Sequence, residues 1–333
     1  MQQRSTLGRA RRALLAVTAA ALLPAAPALA QGTDVYPSKP IKWVAPYPAG
    51  GGLDAVTRMY ANEMSPKLGQ PLVIENRTGA GGTIGAAFVA KAPADGYTIM
   101  TIDSNSYATA NLLYRNLPYE SLKDIQLVST LVRLPIVVAV SQNHPARSFG
   151  ELLQKLKANP GKVSFATPGV GSPQHAFMEL FQVRTGTTVL HVPYKAMPSL
   201  LTDLSTGQVE MALSDYGSIK PFIDSGKVRV LASATEARLP MLPSVPTFDE
   251  LGVKDYHVAI WHSLAVPAGT PPAMVDRLAA LAAEAARSPR IKEQLAVIGG
   301  EPVALTGQAA KDFGRRQVML WESVLKPLNL RLD

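Results

Sequence analysis

The residues with chemistry to offer lie first in a turn, positions 45–54, read A-P-Y-P-A-G-G-G-L-D. An apolar run, Ile41-Lys42-Trp43-Val44, precedes it and reads as a buried strand. Leu53, Val56, Tyr60 and Met64 recur behind it at helical spacing. A strand therefore passes through a Pro/Gly turn into a helix, and the glycines let the backbone approach whatever sits there. The first turn of a helix leaves its N–H groups without intrahelical partners, at the positive end of the dipole. Such a place suits a carboxylate or a phosphate. An ordinary β–α turn with its amides met by water has the same sequence. The turn lacks the Gly-Lys-Ser/Thr of a P-loop and the G-x-G-x-x-G spacing of a dinucleotide fold.

A second stretch repeats the pattern about 120 residues on. A strand candidate at 162–167 leads into P-G-V-G-S-P-Q-H at 168–175, then into a helix with Phe177, Leu180 and Phe181 on one face. Ser172 is placed to cap that helix and Pro173 to open it. Two such units in separate domains suggest two jaws closing on one small anion.

Catalytic patterns are weak by comparison. The five histidines, His144, His175, His191, His257 and His262, form no H-E-x-x-H or His-x-His pair. G-V-G-S-P around Ser172 is not a G-x-S-x-G nucleophile elbow. Ser172, His175 and Asp215 form the triad to be weighed, with His175 more naturally a site-lining donor and His191 structural. There is no cysteine, hence no disulfide, thiolate nucleophile or thiolate metal site. No cofactor or metal is expected.

The elements that must hold the turns alternate between strand and helix. Strand candidates lie at 71–75, 97–102, 125–132, 135–140, 162–167, 188–192, 209–213, 228–233 and 258–266, with helices at 83–91, 148–158, 174–184, 198–205, 218–224, 272–287, 291–298 and 308–325. That alternation implies a parallel sheet covered on both faces, an α/β fold. The C-terminal third has too few strands for a third domain and is expected to complete the first. The expected division is a signal peptide at 1–30, domain 1 from 31–133 with 235–333, and domain 2 at 134–234, hinged near 130–135 and 233–237. In open parallel sheets ligands bind at the carboxyl ends of strands. Those ends carry Tyr47, Asp103-Ser104-Asn105, Thr167, Tyr194-Lys195 and Ser214-Asp215.

Residues 1–30 are an export leader: Arg4, Arg9, Arg11 and Arg12, an apolar run at 13–23, and Ala28-Leu29-Ala30 as the cleavage site. General secretion fits the surroundings of Arg11-Arg12 better than the twin-arginine route. Four of the charges behind the net +8 lie in this leader. The mild excess that remains favours anionic ligands, and no basic stripe or motif for nucleic acid occurs.

Longer stretches carry a family resemblance. Y-P-S-K-P-I-K-W-V-A-P-Y-P-A-G-G-G-L-D (36–54), V-I-E-N-R-T-G-A-G-G-T-I-G (73–85), A-D-G-Y-T-I-M (94–100), G-V-G-S-P-Q-H (169–175), H-V-P-Y-K (191–195), L-P-S-V-P-T (242–247) and V-P-A-G-T-P-P (266–272) resemble the Bug/TctC family of extracytoplasmic solute receptors. The resemblance covers the chain beyond the leader, in order. It implies a periplasmic, monomeric, type II "Venus flytrap" that captures a small organic carboxylate, dicarboxylate or aromatic, for the membrane components of a tripartite tricarboxylate transporter. It further implies a carboxylate held by amides, hydroxyls and waters without an arginine clamp. The expected ligand-binding residues are Tyr47, Ala49, Gly50, Gly51 and Asp54 in the first jaw and Thr167, Gly171, Ser172, Gln174 and His175 in the second. Ser104, Asn105, Tyr194 and Asp215 are expected to line the cleft. Asp103-Ser104-Asn105-Ser106, Lys195-Ala196, Ser214-Asp215-Tyr216-Gly217 and His262 depart from the family pattern and read as ligand-tuning positions. Tyr47, Tyr107, Tyr194 and Trp261 together would suit a ligand with an apolar or aromatic body. A receptor reporting to a sensor kinase, or an exported hydrolase using Ser172 or His175, are the competing readings.

Overall fold

The computed structural model describes residues 36–329; the leader and its expected cleavage after Ala30 lie outside them. From Tyr36 the chain forms one compact unit. Its elements in order are β1 (Ile41–Ala45), α1 (Gly52–Leu68), β2 (Leu72–Asn76), α2 (Thr83–Ala90), β3 (Thr98–Asp103), α3 (Ala110–Leu113), α4 (Ser121–Asp124) and β4 (Ile125–Ser141). Then come α5 (Phe149–Ala158), β5 (Ser164–Thr167), α6 (Pro173–Thr185), β6 (Leu190–Pro193), α7 (Met197–Thr206), β7 (Met211–Asp215), α8 (Tyr216–Asp224) and β8 (Val228–Ser233). The chain closes with β9 (Ala259–Pro267), α9 (Pro272–Arg287), α10 (Pro289–Val297), β10 (Glu301–Pro302) and α11 (Gly307–Leu325).

The strands follow the order β2-β1-β3-β9-β4-β7-β5-β6, with β8 and β10 also on β4. β1 pairs in parallel with β2 and β3, and β5 with β6 and β7, as alternating strands and helices require. The sheet as a whole is mixed, which corrects the expectation of mainly parallel sheets. β9 runs antiparallel between β3 and β4, and β4 is antiparallel to β7 and β8. The two apolar runs at 125–132 and 135–140 are one strand of 17 residues. Its first part, to Pro135, pairs with β9; from Ile136 it pairs with β7 and β8. Pro135 stands at the changeover between the two ladders, where a missing N–H costs least.

Helix α1 is held to the sheet by a buried polar thread. Trp43 donates through Nε1 to Thr101 Oγ1 at 2.9 Å, and Thr57 Oγ1 lies 2.8 Å from the same oxygen. Tyr60 donates to the Leu131 carbonyl at 2.6 Å. Each such bond contributes about 1 kcal/mol net and would cost more if left unmade. Helix α6 is seated differently, on aromatic packing. Phe181 packs edge-to-face on Phe149 and Phe248, and Phe248 meets Tyr256 with centroids 4.6 Å apart. The Tyr256 hydroxyl donates to the Phe177 carbonyl at 2.9 Å. The expected cap of α5 is present, Ser148 Oγ accepting from the Glu151 amide at 3.2 Å.

The start of α8 presses on the turn after α10. A Cβ on Gly217 would stand 2.4 Å from the Ile298 carbonyl oxygen, and one on Gly299 would stand 2.3 Å from the Tyr216 ring. Gly299 also has φ +65°. Gly217→Ala and Gly299→Ala should each destabilise by about 2–3 kcal/mol through overpacking, with Gly299 adding left-handed strain. Gly226→Ala has the same φ of +65° but nothing within 4 Å of the new carbon, so it should cost only about 1–2 kcal/mol. Urea unfolding of the three variants checks the ranking; equal losses would show that the α8–α10 seam is not tightly packed.

Candidate functional site

The first turn is organised by Asp54. The carboxylate is buried and accepts from the Gly50 amide at 2.9 Å, from Arg58 Nε at 2.8 Å and from Asn76 Nδ2 at 2.8 Å. Asn76 Nδ2 also donates to the Tyr47 carbonyl at 2.9 Å, tying the turn to the end of β2. Burial alone would raise the Asp54 pKa, but Arg58, Asn76 and the Gly50 amide hold it below the usual range. Asp54 is thus the brace of the turn, and the oxygens expected at the ligand are spent on the protein. What the brace leaves open are amides: those of Gly52, Leu53 and Asp54 make no hydrogen bond among the described residues. Ala49 and Gly50 are exposed, and Gly51 caps α1 in an extended conformation.

The neighbouring strand end is locked from several sides. The Tyr47 hydroxyl donates to Asp103 Oδ2 at 2.9 Å and lies 3.0 Å from the Gly81 carbonyl oxygen. Asp103 Oδ1 accepts from the Ser106 amide at 3.1 Å and from the Ser106 hydroxyl. Asn105 donates through Nδ2 to Gly81 O at 2.8 Å and accepts from Thr109 at 2.8 Å. Residues 105–109 form a π-helical turn, and its neighbour Gly81 leaves no room for a side chain, a Cβ there meeting Asn105 at 2.7 Å. Burial pushes the Asp103 carboxyl pKa upward despite these donors.

Two buried polar atoms at this end have no hydrogen-bond partner among the described residues: Ser104 Oγ and His262 Nδ1. His262 is the register partner of Asp103 across the β3–β9 ladder, so the two side chains share a face. Burial drives the His262 pKa down to about 4, leaving a neutral ring at pH 7. Unpartnered buried polar atoms are rare and ask for an explanation.

The second turn is built around a pair of stacked rings. His175 and His191 lie with centroids 4.4 Å apart and 16° between planes. His175 Nδ1 accepts from the Gly171 amide at 3.0 Å, so its proton sits on Nε2, 3.5 Å from Glu179. Thr167 Oγ1 is 2.7 Å from His191 Nε2, which brings His191 to the mouth of the turn rather than leaving it a plain strand residue. Burial, then the His175 ring, push the His191 pKa down to about 4. Ser172 caps α6, its Oγ accepting from the His175 amide at 3.2 Å and donating to Gly169 O at 2.7 Å. Gln174 is buried, and neither its backbone amide nor its side chain is bonded among the described residues.

The structure thus gathers Tyr47, Asp54, Ser104 and Asn105 at one turn, and Thr167, Gly171, Ser172, Gln174 and His175 at the other, with α6 packed against the π-turn. Tyr194 joins the second group by its amide, bonded to Thr167 O at 2.8 Å, but its hydroxyl is held by Asp203 at 2.7 Å. Asp215 caps α8 through the Ser218 amide at 2.8 Å. No hydrogen bond or ion pair joins it to His175, and no triad forms with Ser172. Tyr107 and Trp261 are both buried and pack edge-to-face at 5.9 Å, on the side of the π-turn away from the two Gly-rich turns' free amides. Arg77 pairs with Glu75 at 2.5 Å and stacks 3.6 Å over Phe88. Asn76, Gly81 and His191 support the two turns; the motifs at 73–85 and 191–195 contain them and His191 read as structural, but neither motif showed which turn each would brace. No group of three or more His, Asp or Glu among the described residues could hold a metal.

The family model of the tripartite tricarboxylate transporter family receptor matches residues 56–330. Among solved structures, the periplasmic binding protein BugD is 33% identical, covering 89% of this chain and 100% of its own, with a TM-score of 0.74. Rpa4515 of R. palustris, solved with adipate, is 32% identical over 89% of this chain and 100% of its own, with a TM-score of 0.78. MatC from Rhodopseudomonas palustris, solved with malate, is 28% identical over 87% and 100%, with a TM-score of 0.73. The chain has the two-domain α/β fold of these binding proteins. It belongs to the tripartite tricarboxylate transporter receptor family and is a solute-binding receptor, not an enzyme.

Proposed function

We propose that this receptor captures a small dicarboxylate between lobes 31–133 with 235–333 and 134–234, and delivers it in the periplasm, as a monomer freed of residues 1–30, to the membrane components of a tripartite transporter. The observation that carries the reading is the row of unbonded amides at Gly52, Leu53 and Asp54, joined through the Tyr47–Asp103 hydrogen bond to the strand end that carries the orphan hydroxyl of Ser104. The Gln174 amide offers a matching donor on the other lobe. The ligand charge is met by these donors, because Arg58 and Arg77 are already paired with Asp54 and Glu75. Burial keeps the His262 ring neutral, and its unpartnered Nδ1 is free to hydrogen-bond a ligand hydroxyl or a bridging water in either tautomer. The class is a short polar acid rather than an aromatic one: Tyr107 and Trp261 are in the core, and the Tyr47 and Tyr194 hydroxyls are engaged. Adipate and malate, the acids bound by two relatives, are both dicarboxylates. No helix among the described residues is long and apolar enough to cross a membrane, so the transporter supplies the passage.

Ser104→Ala separates binding from stability. Removing an unsatisfied buried hydroxyl should leave unfolding unchanged or slightly harder, while a hydrogen bond to a charged ligand contributes about 1.5–3 kcal/mol. Calorimetric titration with adipate and malate should therefore show affinity down about ten- to hundredfold in Ser104→Ala and unchanged in Lys195→Ala. Normal affinity in Ser104→Ala, with loss in Lys195→Ala, would place the charge on a cation instead.

Capture between two lobes also predicts motion about β4. The acid that binds best should lower the radius of gyration in solution scattering. A bound, stabilising acid that leaves the scattering profile unchanged would count against closure.

A further inference from the structure

At the far end of the β4–β9 ladder lies a cavity of about 240 Å³, lined on its polar side by Tyr107, Lys123, Gln126, Lys311 and Arg315. The ladder places it well away from the cleft. Asp103 is paired with His262, whereas Ile125 is paired with Pro267, five residues and roughly 17 Å further along β9. No carboxylate lines the cavity.

Two of its three cations, Lys311 and Arg315, are uncompensated among the described residues. Lys311 and Arg315 are one turn apart on the same face of α11 and form no ion pair among the described residues. Like charges at that spacing repel each other unless an anion lies between them. Lys123 meets Glu120 only at 3.9 Å, with both side chains exposed. Of the acids close by in sequence, Asp124 accepts from the Glu120 amide and Asp312 from Gln308, and neither forms an ion pair with Lys311 or Arg315 among the described residues.

Tyr107 closes the inner wall. Its side chain is 97% buried in the packing of Trp261 and Gly314, yet its hydroxyl makes no hydrogen bond among the described residues. Burial raises the phenol pKa to about 12, against the pull of Arg315, so the group is a donor at neutral pH. Of the side chains lining the cavity, Lys123, Lys311 and Arg315 are cations and Tyr107 and Gln126 can donate. A planar guanidinium, two ammonium groups and a phenolic O–H lining one small cavity match the acceptor-rich surface of an oxyanion. A cation would be repelled, and an apolar guest would leave the Tyr107 hydroxyl without a partner.

We propose that this cavity is a second binding site, separate from the cleft, for a small oxyanion, either a carboxylate or a phosphate. Tyr107 belongs to the π-turn that carries Asn105, so the site hangs from the back of the cleft's own wall. The test is calorimetric titration of the full chain with inorganic phosphate, and in a parallel arm with acetate, both at fixed ionic strength. Adipate in the same buffer reads the cleft. Wild type should bind at least one probe saturably, the better probe identifying the oxyanion. Lys311→Ala/Arg315→Ala, two exposed positions, should weaken that binding tenfold or more, and Tyr107→Phe severalfold, with adipate affinity unchanged in the double variant. Absence of saturable binding of either probe, binding by both variants as tight as wild type, or loss of adipate binding in the double variant would each overturn the proposal.

Discussion

A buried carboxylate decides what the rest of this molecule can offer a ligand. Asp54 sits on the first turn of α1, where an acid commonly turns back to satisfy the free amides. Here it is drawn aside by Arg58, Asn76 and the Gly50 amide, and the helix start is left open. The protein therefore keeps a fixed negative charge at the helix start, paired with Arg58, and leaves the amides of Gly52, Leu53 and Asp54 without partners among the described residues. The dipole of α1 favours an anion there by about 0.3–1 kcal/mol, while each hydrogen bond to a charged group contributes about 1.5–3 kcal/mol. Direct hydrogen bonding outweighs the dipole, which makes the placement of the backbone more important than any distant charge.

That placement is inherited from the sheet. The Trp43–Thr101–Thr57 thread fixes α1 over β1 and β3, and Tyr47 bridges to Asp103 and Gly81, so the first turn and the end of β3 move as one piece. The second turn is fixed by other means, a cap at Ser172 and the His175–His191 stack over Thr167. β4 joins the two, pairing with β9 along its first part and with β7 and β8 along its second. One continuous strand between two ladders transmits position without welding the turns together.

Much of this was legible in the residues. Strand, Gly-rich turn and helix were readable at 45–54 and 168–175 because each signal is local: apolar runs, Ser-Pro at a helix start, 3.6-residue spacing. The capping roles of Ser172 and Ser148 followed for the same reason. What could not be read were pairings across long separations. The antiparallel insertion of β9 joins residues more than a hundred positions apart, and no local pattern encodes it. Asp54 and Tyr194 looked available to a ligand because their partners, Asn76 and Asp203, are set by the fold rather than by spacing. Tyr107 and Trp261 looked like a lining for the same reason, since aromatic residues beside a turn read alike whether they face a cleft or a core. His262 drew notice as a departure from the family pattern, but its register with Asp103 is a long-range pairing that no local pattern encodes.

The central claim is that one carboxylate ligand is held by backbone amides on both turns. Amide nitrogen and proton shifts of Gly52, Leu53, Asp54 and Gln174, followed by NMR during titration with adipate or malate, test it most directly. The account predicts that all of them shift and saturate together with a single dissociation constant. Saturating binding that leaves the amides of either turn unmoved would contradict it.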